Sequence, residues 1–371
     1  DRVVPPCPHF GVCGGCALQH LAPAAQLATK GAELADSLER IGRVAPREWL
    51  APLEGPVWSY RRRARLSARF VRKKGRSLVG FRERAAPYVA EIESCRVLAP
   101  PFDTLVAPLS LLLTSLSIRE RVPQVEAAVG DRARAVILRV LTAPSAADLE
   151  AIRTFGVAHE VTMYLQPGGL DTVVPVDGEP AALDYALPDF DLRLAFEPVD
   201  FIQINAAINQ ALVGRAVRLL DAGPADRVLD LFCGLGNFTL ALARRAASVV
   251  GVEADAGLIG RARANALRNG IDNAAFHVGD LAAPDIATSG WWTGGFSHVL
   301  LDPPRAGARE VLPAVARLAP RRIVYISCHP GTFARDLGIL VHEHGYVLKA
   351  AGVLDMFPHT THVESMAVLE P

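Results

Sequence analysis

Val228-Leu229-Asp230-Leu231-Phe232-Cys233-Gly234-Leu235-Gly236-Asn237-Phe238 reads as an apolar strand, a glycine turn and the start of a helix. Glycine lacks a Cβ, so such a turn lets a ligand approach the backbone, and the helix behind it offers free N–H groups. Outward from this stretch, apolar strands alternate with helical segments: Val228–Phe232, Ser248–Glu253, Ala275–Val278, His298–Leu301 and Arg322–Ser327. That alternation predicts βαβ units on a mostly parallel sheet, an α/β Rossmann-like domain over residues 196–371. Tyr346–Val353 and His362–Leu369, on either side of Phe357-Pro358, read instead as two strands joined by a loop.

The strand ends carry acids: Glu253, Asp280 behind Gly279, and Asp302 in Leu301-Asp302-Pro303-Pro304-Arg305. Ligands of open α/β sheets bind beyond the carboxyl ends of strands, where all three lie. Glu253 is placed to hold a ribose diol, although an acid there also suits the cap of the next helix. The turn lacks the third glycine of the dinucleotide fingerprint, so nicotinamide binding is the weaker alternative. Asp230–Phe238 followed by Asp302–Arg305 resembles S-adenosylmethionine-dependent methyltransferases.

Which methyltransferase is decided further along. Enzymes that methylate exocyclic amines place an aromatic residue after Asp-Pro-Pro to stack on the base, and here that residue is Arg305. The next strand delivers Ser327-Cys328-His329-Pro330, a cysteine beside the cofactor crevice and a candidate nucleophile. Its other reading is an inert half-buried thiol. Carbon 5 of uracil is a poor nucleophile until a thiolate adds to carbon 6, and a base must afterwards remove the proton from carbon 5. Glu364 is the first candidate for that base and His362 the second.

Phe201-Ile202-Gln203-Ile204-Asn205, Asp230–Phe238, Asp302–Arg305, Ser327-Cys328 with Pro330, and His362-Val363-Glu364 together resemble the RNA uracil-C5 methyltransferase family. The resemblance covers nearly the whole chain, with five motifs in order. It implies Cys328 as nucleophile, Glu364 as base, and S-adenosylmethionine contacts from Gln203, Phe232, Asn237, Glu253, Asp280 and Asp302. Two positions depart from the usual pattern: His329, where asparagine normally follows the nucleophile, and Asp280, where asparagine and aspartate alternate.

Cys7, Cys13 and Cys16 crowd the first residues, and Cys95 lies far downstream. Without a secretion signal this is metal-like spacing rather than a disulfide framework. Four thiolates suit zinc or an iron–sulfur cluster, and only one Cys-x2-Cys pair is present. The run from Pro6 to Cys16 resembles the branch of the family acting on 23S ribosomal RNA, whose members carry a 4Fe–4S cluster. The tRNA branch lacks this cysteine knot. The resemblance therefore implies a cluster on Cys7, Cys13, Cys16 and Cys95. Ribosomal members usually begin with a small β-barrel RNA-binding domain, whereas this sequence opens directly before the cysteines.

Net charge is zero, yet Arg61 to Arg84 holds eleven Arg or Lys residues against one acid, Glu83. With Tyr60, Phe70 and Phe81 interleaved, this predicts an RNA-binding face, the plainer reading being a solvated strand. The expected organisation is an iron–sulfur knot and helix over 1–47, a central α+β RNA-binding domain over 48–195, and the methyltransferase domain over 196–371. No apolar run of about 18 residues escapes a charge or proline, so a cytoplasmic monomer without a membrane span is expected. The competing functions are tRNA uracil-C5 methylation and non-catalytic RNA binding on the same fold.

Overall fold

The computed structural model describes residues 1–283, 285–292 and 295–371. Its largest sheet is built around five parallel strands, β10 (Arg227–Leu231), β11 (Ser248–Glu253), β12 (Ala274–Val278), β13 (His298–Leu301) and β14 (Arg322–Ser327). An antiparallel pair, β15 (Val347–Leu354) and β16 (Glu364–Glu370), extends it beyond β14, and β1 (Glu48–Trp49) closes that edge. The spatial order is β1-β15-β16-β14-β13-β10-β11-β12.

The central strands are apolar on both faces because helices cover both. Side chains alternate between two cores: Val228, Val249, Leu300, Val324 and Ile326 face one, and Leu229, Val252, Leu301, Ile323 and Tyr325 the other. Helices α4 (Ala206–Leu220), α5 (Thr239–Ala243) and α6 (Ala256–Arg268) cover the first face. The second is covered by α7 (Leu312–Arg317) and α8 (Pro330–His342), joined by α1 (Pro23–Ser37) through Leu27 and Leu34. The N-terminal helix and β1 are thus packed on the C-terminal sheet. Lys30 of α1, 2% exposed, sinks its ammonium onto Asp355 at 2.7 Å.

The middle of the chain forms a six-stranded mixed sheet in the order β3-β2-β4-β5-β6-β7. Its strands are β2 (Arg63–Val71), β3 (Arg76–Gly80), β4 (Gln124–Val129), β5 (Arg134–Arg139), β6 (Thr162–Gln166) and β7 (Val174–Pro175). Helices α2 (Val106–Ser115) and α3 (Ala146–Ala158) share its core. Helix α2 begins only at Val106, because the residues after Pro100 and Pro101 close turns in which Phe102 N–H donates to Ala99 O and Thr104 N–H to Pro101 O. A hairpin of β8 (Asp184–Leu187) and β9 (Leu192–Ala195) packs Tyr185, Leu187 and Leu194 into the core beside α4. Among the described residues no helix is long and apolar enough to cross a membrane.

Candidate active site

The crevice starts at the end of β10. Phe232 takes φ +66°, left-handed backbone that costs a residue with a Cβ roughly 1–2 kcal/mol. Two hydrogen bonds hold it there, since Phe232 N–H and Cys233 N–H both donate to Val252 O, at 2.9 and 3.0 Å. Gly236 follows at φ +94°, where glycine alone is at ease. The glycine turn is thereby stitched to the neighbouring strand end. Glu253 adds a third stitch: its carboxylate accepts from Gly234 N–H at 3.3 Å, and also from Ala254 N–H at 2.7 Å and Asp255 N–H at 3.2 Å. The cap of α6 is a different residue, Asp255, which accepts from Leu258 N–H at 2.9 Å.

The other residues expected at the cofactor are distributed around the same strand ends. Asp280 is exposed and accepts from Ala282 N–H at 2.9 Å. Asn237 exchanges amide hydrogen bonds with Asn209 at 2.9 and 3.1 Å, and Tyr185 donates to it at 2.9 Å. Gln203 is half-buried, two residues before Asn205, which caps α4 by accepting from Ile208 N–H. Asp302 follows β13, and burial pushes its carboxyl up to about 7. Asp230, fully buried and accepting from Thr239 Oγ1, is likewise pushed up to about 7 by burial, with the charges of Asp302 and Glu253 adding to the rise.

Cys328 and Glu364 meet at the end of an antiparallel ladder. β14 and β16 pair as far as Ser327 opposite Ser365, and Cys328 and Glu364 are the next residue on either side of that pair. Glu364 is 2% exposed, while Cys328 is half-buried at the crevice wall. Burial first, and then the charges of Glu364 and Asp302, raise the Cys328 thiol to about 11, with Arg305 opposing them. Burial, and then Asp302, hold the Glu364 carboxyl well above the carboxylate range. His362 lies against the Phe357 ring at 5.3 Å, and partial burial of its ring, then Arg305 and Arg61, lower its affinity for a proton.

The departure at His329 has a local explanation. It is the N-cap of α8, and its Nδ1 accepts from Thr332 N–H at 3.2 Å, as an asparagine oxygen would. The imidazole thus keeps the cap that orients the nucleophile's own turn.

Cys7, Cys13, Cys16 and Cys95 line one pocket, walled by Trp58 and Phe81. Among the described residues no three His, Cys, Asp or Glu side chains form a group that could hold a single metal ion. Burial raises the thiols of Cys13, Cys16 and Cys95, the last to about 12, and the cysteines' own charges add to each rise.

The basic segment is less free than its composition implies. Arg62 pairs with Asp131, Arg63 and Arg65 with Glu126, Arg72 with Glu120, and Lys74 and Arg76 with Glu91. Among the described residues this leaves Arg61, Arg69, Lys73, Arg82 and Arg84 without a carboxylate partner.

A Rossmann-like sheet with an acid-lined crevice beyond its carboxyl edge, continued by an antiparallel pair, is the architecture of a class I methyltransferase. Residues 185–289 and 293–371 match the model of the tRNA (Uracil-5-)-methyltransferase family. A 23S rRNA (uracil(1939)-C(5))-methyltransferase of Alkalilimnicola ehrlichii is 54% identical over 371 residues, spanning 100% of this chain and 83% of that protein. Its counterpart in Stenotrophomonas maltophilia is 52% identical over 370 residues, with the same coverage. The crystal structure of Pyrococcus abyssi tRNA (uracil-54, C5)-methyltransferase in complex with S-adenosyl-L-homocysteine superposes with a TM-score of 0.74 at 25% identity, covering 97% of this chain and 86% of that one. The chain belongs to the RNA uracil-C5 methyltransferase family.

His329→Asn is expected to leave stability unchanged in a urea melt. His329→Ala should lose about 1 kcal/mol, the usual worth of an N-cap. Equal loss in both variants would mean that the imidazole does more than cap α8.

Proposed function

We propose that this protein methylates carbon 5 of a uridine in 23S ribosomal RNA, with Cys328 as covalent nucleophile and Glu364 as the base that releases the product. The observation that carries the reading is that Cys328 and a buried Glu364 both follow directly from the Ser327–Ser365 pair, with the charges of Glu364 and Asp302 felt at the thiol. The target class rests on relatives named for uracil 1939 of 23S rRNA, which match the whole chain at half identity or more. Uridine 1939 is accordingly the proposed site.

S-adenosylmethionine, held by Gln203, Phe232, Asn237, Glu253, Asp280 and Asp302, supplies the methyl group and brings a positive charge into this acid-lined crevice. The acids at the strand ends fit such a ligand. The rest of the chemistry belongs to the chain. The Cys328 thiolate forms a bond to carbon 6, and the displaced π electrons make carbon 5 nucleophilic toward the methyl group. Glu364 then takes the proton from carbon 5. The C–H electron pair restores the C5–C6 double bond and expels Cys328 as thiolate. Burial, with Asp302 beside both, disfavours the charged forms of Cys328 and Glu364, so a cation alongside favours their ionised forms. Glu364 is preferred to His362 because it is buried, and its charge is felt at Cys328.

The knot cysteines read as ligands of a 4Fe–4S cluster. Four thiols line one pocket, and burial disfavours ionisation of Cys13, Cys16 and Cys95, so a polycation is needed for them to become ligands together. We read residues 1–47, 48–195 and 196–371 as knot, RNA-binding domain and methyltransferase domain, acting in the cytoplasm as a monomer. Arg61, Arg69, Lys73, Arg82 and Arg84 are the cations available to RNA phosphates, and the target uridine must leave its stack to reach Cys328.

Cys328→Ala should abolish methylation while S-adenosylmethionine still binds. Glu364→Gln should transfer one methyl group and then accumulate a protein–RNA adduct that survives a denaturing gel. Normal turnover by Glu364→Gln, with an adduct in His362→Ala, would transfer the base to His362.

Protein purified without oxygen should be brown, with roughly four irons and four sulfides per chain, and Cys95→Ser should bleach it. Stoichiometric zinc in a colourless protein would overturn the cluster.

A further inference from the structure

Residues 355–363 run directly into β16 and therefore into Glu364. Among the described residues, each hydrogen bond that holds this loop from outside comes from residues 17–60. Lys30 Nζ donates to Asp355 at 2.7 Å and to Phe357 O at 2.9 Å, and Asp355 N–H donates to Leu53 O at 2.9 Å. Tyr60 OH donates to Pro358 O at 3.0 Å.

The bonds converge most densely on His359. Its carbonyl accepts from Ala17 N–H at 2.8 Å and Leu18 N–H at 3.0 Å, immediately after Cys16. Its N–H donates to Gln26 Oε1 at 2.8 Å, and its Nδ1 meets Gln26 Nε2 at 3.1 Å. Its ring stacks on Trp58, a wall of the cysteine pocket, with centroids 4.0 Å apart. All this is 3% exposed, on a backbone with φ +66°. A histidine in left-handed backbone, bonded through its N–H, carbonyl and ring to three N-terminal segments, is held there by those segments.

We propose that His359 is a positioning residue for product release: the cysteine-bearing segment, α1 and Trp58 clamp it, and the clamped loop sets the Glu364 carboxyl against carbon 5 of the methylated uracil. This rests on the reading of Glu364 as the base. It makes the N-terminal segment part of the proton-abstraction step, although no residue of that segment needs to touch the reacting atoms. Methyl transfer uses Cys328, which stands on β14 and is oriented by Ser327 and His329, so that step does not depend on the loop in the same way.

The test uses the full chain, purified anaerobically with its iron, in three variants beside Glu364→Gln. His359→Ala removes the ring; His359→Asn keeps a residue that tolerates left-handed backbone and offers an amide at the Gln26 contact. Tyr60→Phe deletes only the bond to Pro358. Three quantities are read: S-adenosylmethionine affinity, single-turnover methyl transfer, and release of the covalent adduct followed on denaturing gels.

His359→Ala is expected to bind and transfer normally but to release product about a hundredfold more slowly, the cost of a misplaced reacting group. Release should be largely rescued in His359→Asn and slowed mildly in Tyr60→Phe. If binding, transfer and release all fall together in His359→Ala and Tyr60→Phe, His359 serves folding alone and the proposal is overturned. Unchanged release in both overturns it as well. Where Glu364→Gln traps the adduct and His359→Ala does not, only this inference fails; where Glu364→Gln fails to trap, the base assignment fails first.

Discussion

The antiparallel pairing of β14 with β16 is the constraint on which the site depends. Parallel strands alone would carry Cys328 out of the sheet beside Asp302 with nothing facing it. Because β16 returns against β14, the register from Ile323–Leu369 to Ser327–Ser365 brings Cys328 and Glu364, the next residue on either side of the last pair, to the same end of the ladder. The side-chain period of a strand is two, so a one-residue slip would turn Glu364 to the other face of the sheet. The register is locked by residues buried on both faces, among them Tyr325, Ile326, Met366 and Ala367. The geometry of the proposed chemistry is therefore set by hydrophobic packing distant from the reacting atoms.

The same burial sets the electrostatics. Asp230 and Asp302 are pushed up to about 7, Cys328 to about 11, and Glu364 is raised further from its usual range, all chiefly by loss of water. A crevice of this kind disfavours each negative charge singly and several together far more, and it becomes hospitable to them when a cation enters. An idle thiol in such surroundings is protonated and protected from adventitious oxidation or alkylation.

Much of this was legible in the chain. The five parallel strands, the terminal pair and the motif residues at their ends follow from apolar runs punctuated by Gly, Asp and Pro, because strand ends are where an α/β fold collects its chemistry. Contacts across long sequence separations were not legible. Nothing near Asn237 announces that Tyr185 and Asn209 will hold its amide, and nothing in Pro23–Ser37 says that its Lys30 will be buried on Asp355. The partners of the basic run were hidden in the same way: Glu126, Glu120, Glu91 and Asp131, all outside it, take up six of its eleven cations. His329 shows the converse, an unusual residue whose local bond to Thr332 preserves the ordinary function of its position.

The central claim is that Cys328 is the atom that joins protein to RNA. A 23S rRNA fragment carrying 5-fluorouridine at the target should lock the unmutated enzyme in its adduct, since fluorine cannot leave as a proton does. Digestion and mass spectrometry of that adduct should place the methylated fluorouracil on the peptide bearing Cys328. Attachment to any other residue, or methylation of the fragment with no adduct formed, would contradict the account.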